Sequence, residues 1–316
     1  MQTPAVRGHR KRSSRAAGAA LAALIAVAVV ACTPTSNPLD TGEPKGDRRV
    51  IVVGSQGSAE NEIIAQLYGQ VLAQAGYDVQ YATSIGSRSD HLAALSSGAI
   101  NLVPENAASL LHELDAGNLS MSLGDIYGAL TPLLAPDAIT LLDAAPADSA
   151  DVFVVSRAFA DGNALVSLGD LEPMASSVII GGAPGVQARW QTALKASYGI
   201  SGQEFFEIDD DGGASTVQGL IGGRIQVAVM SATNPAIAAN DFVILDDPEN
   251  ISADENVVPL IDNASYSDKV AGLINAVSAS LTTSELARLH AIYFAADHPS
   301  SSEIAAVWLA ENGLLP

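Results

Sequence analysis

The residues of this chain with chemistry to offer lie in short polar turns between apolar runs and helical ones. Gly54-Ser55-Gln56-Gly57-Ser58 follows Val50 to Val53 and leads through Glu60 into residues spaced for a helix. A helix start of this kind presents free backbone N–H groups and a positive dipole end, which suit a carboxylate or another anion. Ser58, directly before the helix, is equally placed to be its N-cap. Gly181-Gly182-Ala183-Pro184 repeats the arrangement and adds Arg189. The planar guanidinium of Arg189 forks onto a carboxylate, whether a ligand's or a neighbouring acid's.

Catalytic chemistry has little to stand on. The sequence has no Gly-x-Ser-x-Gly elbow, no His-Glu-x-x-His and no phosphate-binding loop, and its one cysteine is Cys32. His91, His112, His290 and His298 are scattered without ligand spacing, which points to surface or core roles rather than a metal. Asp209-Asp210-Asp211-Gly212-Gly213 lacks the spaced ligands and terminal Glu of a calcium loop and reads as a solvated acidic turn. We therefore expect no enzyme, no cofactor and no metal.

The N-terminus supplies an address. Ala16 to Ala31 is apolar, follows Arg7, Arg10, Lys11, Arg12 and Arg15, and ends at Cys32. The run is shorter than the ~20 residues needed to span a bilayer and has the form of a cleavable signal. Its junction with Cys32 resembles the lipobox of bacterial lipoproteins, which would make Cys32 the acylated first residue of a mature chain on the extracytoplasmic face of the cell membrane. Loss of residues 1–31 leaves ten Lys and Arg against 35 Asp and Glu, a surface that repels nucleic acid and anionic lipid. That charge also disfavours self-association, so a monomer is the default. Residues 32–49, rich in Pro, Thr, Ser, Gly and Asp, read as a tether.

The elements that must position the polar turns alternate in α/β fashion. Val50 to Val53 reads as a strand, Ile63 to Ala75 as a helix stopped at Gly76, Asp78 to Ser84 as a strand, Ser89 to Ser97 as a helix and Ile100 to Val103 as a strand. Helices start at Ala107 and Leu123. A second unit opens at Asp151 to Ser156, continues through Val178 to Ile180, a helix over Val186 to Ser197 and another over Gly213 to Gly222, and reaches a strand at Arg224 to Val229. Leu95, Gly98, Ile100 and Leu102 share their spacing with Leu220, Gly223, Ile225 and Val227, so Glu105-Asn106 and Ser231-Ala232-Thr233-Asn234 leave equivalent strand ends. Open α/β sheets take ligands at such ends. Val257 to Ile261 is a further strand, and two helices, Ser284 to Ala295 and Ser301 to Asn312, close the chain. These need the first unit's sheet to cover, so we expect two lobes, 50–150 plus 255–316 and 151–254. The crossings would fall near Ala147 to Val152 and Asp254 to Val258.

Together, Val53-Gly54-Ser55 through Glu60, Leu95 to Glu105, Gly182 to Arg189 and Gly223 to Asp247 resemble the substrate-binding proteins of osmoprotectant ABC transporters, the glycine betaine, carnitine, choline and proline class. The resemblance implies a bilobal type II periplasmic-binding-protein fold and capture of a small solute for an ABC permease with its ATPase subunit. Where that family carries an aromatic cage, this chain has Ser58, Asn106 and Ser231. Quaternary ammonium groups are recognised by ring faces, so the pocket left is polar: Ser55, Gln56, Ser58, Glu105, Asn106, Arg189, Ser231, Thr233 and Asn234. It suits a zwitterionic or polyhydroxylated solute, with Glu105 either meeting a cationic end or bracing the loop after Pro104. A sensor or interaction protein on the same scaffold, without transport, is the alternative.

Overall fold

The computed structural model describes residues 50–118 and 121–315; the signal-like run, Cys32 and the tether lie outside them. The chain opens with β1 (Val50–Gly54), α1 (Ala59–Gln74), β2 (Asp78–Ala82), α2 (Arg88–Ser96), β3 (Leu102–Asn106), α3 (Ala107–Leu114), α4 (Leu123–Leu134) and β4 (Ile139–Leu141). It then crosses to β5 (Asp151–Val155), α5 (Arg157–Asn163), β6 (Ile179–Gly182), α6 (Val186–Tyr198), β7 (Glu204–Glu207), α7 (Ala214–Ile221), β8 (Val227–Ser231), α8 (Pro235–Ala239) and β9 (Val243–Ile244). A second crossing returns it to β10 (Val257–Asp262), α9 (Asp268–Ser280), α10 (Thr283–Tyr293) and α11 (Ser301–Glu311).

Two five-stranded sheets result, ordered β2-β1-β3-β10-β4 and β7-β6-β8-β5-β9. In each, three strands run parallel, and the strand arriving from the other sheet, β10 or β5, pairs antiparallel with the third. Apolar clusters cover both faces of both sheets. α1 brings Ile63, Ile64, Leu67 and Tyr68 against Ile274 of α9, Leu289 of α10 and Trp308 of α11, while Leu110, Ile126 and Leu130 cover the opposite face. Three helices, not the two expected, follow the second crossing. The additional one, α9, is capped by the Ser267 side chain and buries Val270, Ala271, Ile274 and Val277.

The spacing echo has a structural counterpart. Gly98 and Gly223 both take positive φ, +74° and +70°, where a side chain would be strained. Behind them the Ile100 and Ile225 amides bond back to the Ala94 and Gly219 carbonyls, so these isoleucines belong to the turn that closes each helix. β3 and β8 consequently begin at Leu102 and Val227, after the expected starts at Ile100 and Arg224. In the gap, Asn101 and Gln226 side chains accept from the amides of Val52 and Ile179, fastening each third strand to its first. Gly54 and Gly181 then lie under Ile100 and Ile225: an added Cβ would meet their Cδ1 atoms at 2.7 and 2.6 Å.

The two crossings are laced together. Asp148 bridges antiparallel to Asn256, Val257 N donates to Ala147 O at 3.0 Å and Ser149 N to Glu255 O at 3.3 Å. Glu255 and Asp148 are largely buried here, and burial pushes both carboxyls above the usual range. The amide and hydroxyl of Ser109 hold the Glu255 carboxylate at 3.0 and 2.5 Å.

Candidate ligand-binding site

At the C-terminal edge of the first sheet, Ser55 follows β1 with its backbone tied to Ala82 O and Ile85 N. Its Oγ is fully buried and has no hydrogen-bond partner among the described residues. Ser58 caps α1, its hydroxyl accepting from Asn61 N and Nδ2 at 3.2 and 3.0 Å. Glu105, 1% exposed, gathers this edge. It accepts from Arg88 Nε at 2.7 Å, meets His91 Nδ1 at 3.0 Å, and takes Gln56 Nε2 at 3.4 Å on both oxygens. Its oxygens thus bond three side chains, Arg88, His91 and Gln56, and none of these bonds goes to the backbone after Pro104. Asn106, next along the strand, donates to Ser149 Oγ at 2.6 Å in the first crossing.

The proton inventory of His91 follows from its neighbours. Nε2 lies 2.8 Å from the Ile85 carbonyl, which can only accept, and Nδ1 faces a carboxylate oxygen. With an accepting oxygen facing each ring nitrogen, the surroundings favour the protonated ring. Burial opposes that charge, but the bonds to Glu105 and Ile85 outweigh it and His91 titrates above its ordinary value.

At the edge of the second sheet, a pocket of about 310 Å³ is lined by Asp151, Ala183–Val186, Arg189, Trp190, Asp211, Val229, Met230 and Ser231. Arg189, with 64% of its side chain exposed, pairs with Asp151 at 2.9 Å and lies over the Trp190 ring. One nitrogen of its fork, Nη1, thus rests on a neighbouring acid. Burial pushes the Asp151 carboxyl up, with Arg189 opposing the shift. Trp190 is 5% exposed and packs edge-on against Phe153 at 5.2 Å, so most of the indole is core and only part of it walls the pocket. At the start of α6, Gly185 N donates to Glu207 Oε1 at 2.8 Å, which occupies one of that helix's free amides. The acidic turn caps α7: Asp210 accepts from Ser215 N, Thr216 N and Thr216 Oγ1.

Between the two edges, Ser231 Oγ donates to Ser149 O at 3.2 Å and shares a hydrogen bond with Thr233 Oγ1 at 2.9 Å. Thr233 Oγ1 donates to Glu60 Oε2 at 3.3 Å, joining the end of β8 to the start of α1. His290 of α10 approaches the same point, Nδ1 3.3 Å from Thr233 O and Nε2 3.5 Å from Glu60 Oε2. Asn234 caps α8 through Ala236 N and donates to the Asp211 and Gly212 carbonyls.

Of the nine sequence-derived residues, Gln56 and Glu105 come together in one cluster, Arg189 and Ser231 in the pocket, and Thr233 at the meeting point, while Ser55 is buried behind the end of β1. Ser58 and Asn234 are taken up as helix caps, and Asn106 is bonded to the crossing. Sequence reasoning missed Arg88, His91, Asp151 and Glu60 as partners in this edge. Arg88 and Asp151 had a legible signal, since one follows the second strand and the other opens the strand after the crossing. Nothing in spacing marks His91 as a partner of Glu105, because helix and sheet bring them together across 14 positions.

Comparison with known proteins supplies the family. Residues 49–311 match the model of the substrate binding domain of the ABC-type glycine betaine transport system. No curated protein matches the sequence. A glycine betaine/carnitine/choline ABC transporter structure is similar at TM-score 0.75 and 16% identity, covering 84% of this chain and 99% of that one. Apo YehZ from Escherichia coli is similar at TM-score 0.71 and 21% identity over 84% and 99%. Lactococcal OpuAC, closed on glycine betaine, is similar at TM-score 0.53 and 13% identity over 84% and 96%. Sheet order, inserted crossing strands and the matched span agree on a two-lobed α/β periplasmic-binding-protein fold, and the chain belongs to the family of substrate-binding domains of ABC-type glycine betaine transport systems.

Proposed function

We propose that this chain is a lipid-anchored, extracytoplasmic receptor that captures a zwitterionic or polyhydroxylated small solute and delivers it to an ABC permease with its ATPase subunit. Cys32 carries the lipid. The lobes are residues 50–150 plus 255–316 and residues 151–254, and they hinge on the paired crossings. Solute contacts come from Ser55, Gln56 and Asn106 on one lobe and Arg189, Ser231 and Thr233 on the other, with Glu105, Ser58 and Asn234 holding the frame. The observation that carries the reading is the convergence of these polar groups on facing strand ends, joined through Thr233 and Glu60. Ser58, Asn106 and Ser231 in place of rings weigh against simple cation capture, since each lost ring contact costs ~1–2 kcal/mol when desolvated.

The test is a thermal-shift and titration series on the full chain in detergent, against glycine betaine, choline, carnitine, proline, other amino acids and sugars. A bound solute at about 100 times its Kd adds ~2.7 kcal/mol and raises the midpoint by several degrees. A shift with at least one polar solute is expected, and a folded chain that responds to none of them refutes the receptor reading. Cys32→Ala should move the protein from the membrane to the soluble fraction; unchanged membrane retention refutes the anchor.

A further inference from the structure

We infer that His290 is a pH-sensitive latch between the lobes, whose protonation completes a contact that separation of the lobes breaks and so favours the closed form. The assignment goes beyond the receptor reading above and asks nothing of the solute's identity. His290 and its partner Glu60 both belong to the first lobe, one on α10 and the other in the first turn of α1. The second lobe brings Thr233 against this pair from the turn between β8 and α8. Thr233 O lies 3.3 Å from His290 Nδ1, Glu60 Oε2 lies 3.5 Å from Nε2, and Thr233 Oγ1 donates to that same Oε2 at 3.3 Å. All three residues are largely shut off from water, and Nε2 is buried without a hydrogen bond among the described residues.

The ring faces two acceptors, and a neutral imidazole carries one N–H. With the proton on Nδ1, the ring serves the Thr233 carbonyl and turns the lone pair of Nε2 onto the Glu60 carboxylate. With the proton on Nε2, it serves Glu60 and sets a lone pair against the carbonyl. An imidazolium serves both, and its charge strengthens each bond. When the lobes part, Thr233 leaves, Nδ1 meets water, and a neutral ring bonded to Glu60 loses nothing. Closure therefore takes up a proton, and by reciprocity the proton favours closure. Imidazole is the side chain whose charge ordinarily changes between pH 5 and 8. The other charges nearby are committed elsewhere. On α10, Glu285 and Arg288 bond to each other and to Trp308 and Glu311 of α11, whose Glu303 caps its own helix at Ser300. Glu62, two positions after Glu60, leaves α1 on the other side, and α8 carries no titratable side chain.

The experiment follows lobe closure by energy transfer between dyes at two exposed alanines, Ala279→Cys in α9 and Ala196→Cys in α6, in the full chain carrying Cys32→Ala so that no third thiol reacts. The ratio of closed to open forms should rise by about threefold to tenfold as the pH falls from 8 to 5. Glu60→Gln should flatten the profile with closure retained, because an amide can donate to Nε2 while Nδ1 serves Thr233. His290→Gln, which does not titrate, should flatten it too. Its profile also subtracts the part due to Asp148, Asp151 and Glu255, whose carboxyls burial raises. A contact with only a structural role would shift closure equally at every pH and leave the slope in place. A wild-type slope no steeper than that of His290→Gln, or a full slope in Glu60→Gln, overturns the latch. Glycine betaine and L-proline, and then the wider solute panel, are added to the same labelled chain. Closure on acidification with no response to any solute overturns the receptor reading and supports the latch; a response to solute with no His290-dependent slope does the reverse.

Discussion

Replacing Glu105 removes the one acid that the buried end of β3 depends on. Glu105 is 1% exposed and His91 is fully buried, so Glu105→Ala strands an imidazolium that the Ile85 carbonyl alone cannot satisfy and frees Arg88 from its anchor. Breaking a buried pair from one side costs ~3–5 kcal/mol, which for a chain of this size lowers the melting midpoint by roughly 6–20 °C. Glu105→Gln is milder, because its amide can donate to a neutral Nδ1 once His91 gives up its proton. The two forms also differ in pH dependence. His91 titrates above its ordinary value in the fold, so the native state holds the extra proton and its stabilisation is present below about pH 6.5. That contribution is lost as pH rises through the elevated folded value, with a slope of at most ~1.4 kcal/mol per pH unit. Glu255, Asp148 and Asp151 are also raised by burial, and they add slope of the same sign in both proteins. Subtraction of the Glu105→Gln denaturation curves from the wild-type curves, measured in urea from pH 5 to 9, isolates the His91 part. Identical slopes, or a Glu105→Ala protein within about 1 kcal/mol of wild type, would refute the imidazolium assignment, since that assignment requires a large penalty.

Three further outcomes follow from individual contacts. Gly54→Ala should cost ~1–3 kcal/mol because the new methyl meets Ile100 Cδ1 at 2.7 Å; Ile100→Val removes that atom, so a double-mutant cycle in urea should show favourable coupling. Ser109→Ala removes the 2.5 Å hydroxyl bond to Glu255, raises that carboxyl further, and should destabilise by ~1–3 kcal/mol, more at pH 8 than at pH 5 because the ionised form loses the donor. Thr233→Val deletes the bond from the second lobe to Glu60 and should speed solute dissociation by about fivefold in stopped-flow, equivalent to ~1 kcal/mol of closed-state contact.

Much of the scaffold was legible because its signals are local. Helical spacing, glycine stops and serine or threonine caps are written in adjacent residues, and Ser58, placed to cap α1, does accept from Asn61 N. The late starts of β3 and β8 were not legible, because periodicity marks Ile100 and Ile225 as strand residues while their amides are spent closing the preceding helices. Polar residues in the strand-end turns were found, but their partners were not. Arg189 reads as a free cation until β5 delivers Asp151 beside it. Glu105 has an uncommitted carboxylate in the sequence until α2 folds Arg88 and His91 over it. Roles that depend on which other acid or base arrives are set by packing across sheets, and no spacing rule records them.

The mirrored build of the two lobes makes their differing ends informative. The same glycine, isoleucine and side-chain fastener set the first and third strands in each sheet, so Glu105 and Met230 hold equivalent places near the ends of β3 and β8. One is a carboxylate between two cations; the other is a buried thioether, 3% exposed. In the second lobe the charged groups come instead from the crossing strand and from α6, as Asp151 and Arg189 around the pocket. A scaffold duplicated for strength would be expected to repeat its polar ends as well as its packing. Here the packing repeats and the charge does not: the first lobe holds its acid at the end of the third strand, between Arg88 and His91, and the second brings its acid on the crossing strand and pairs it with Arg189.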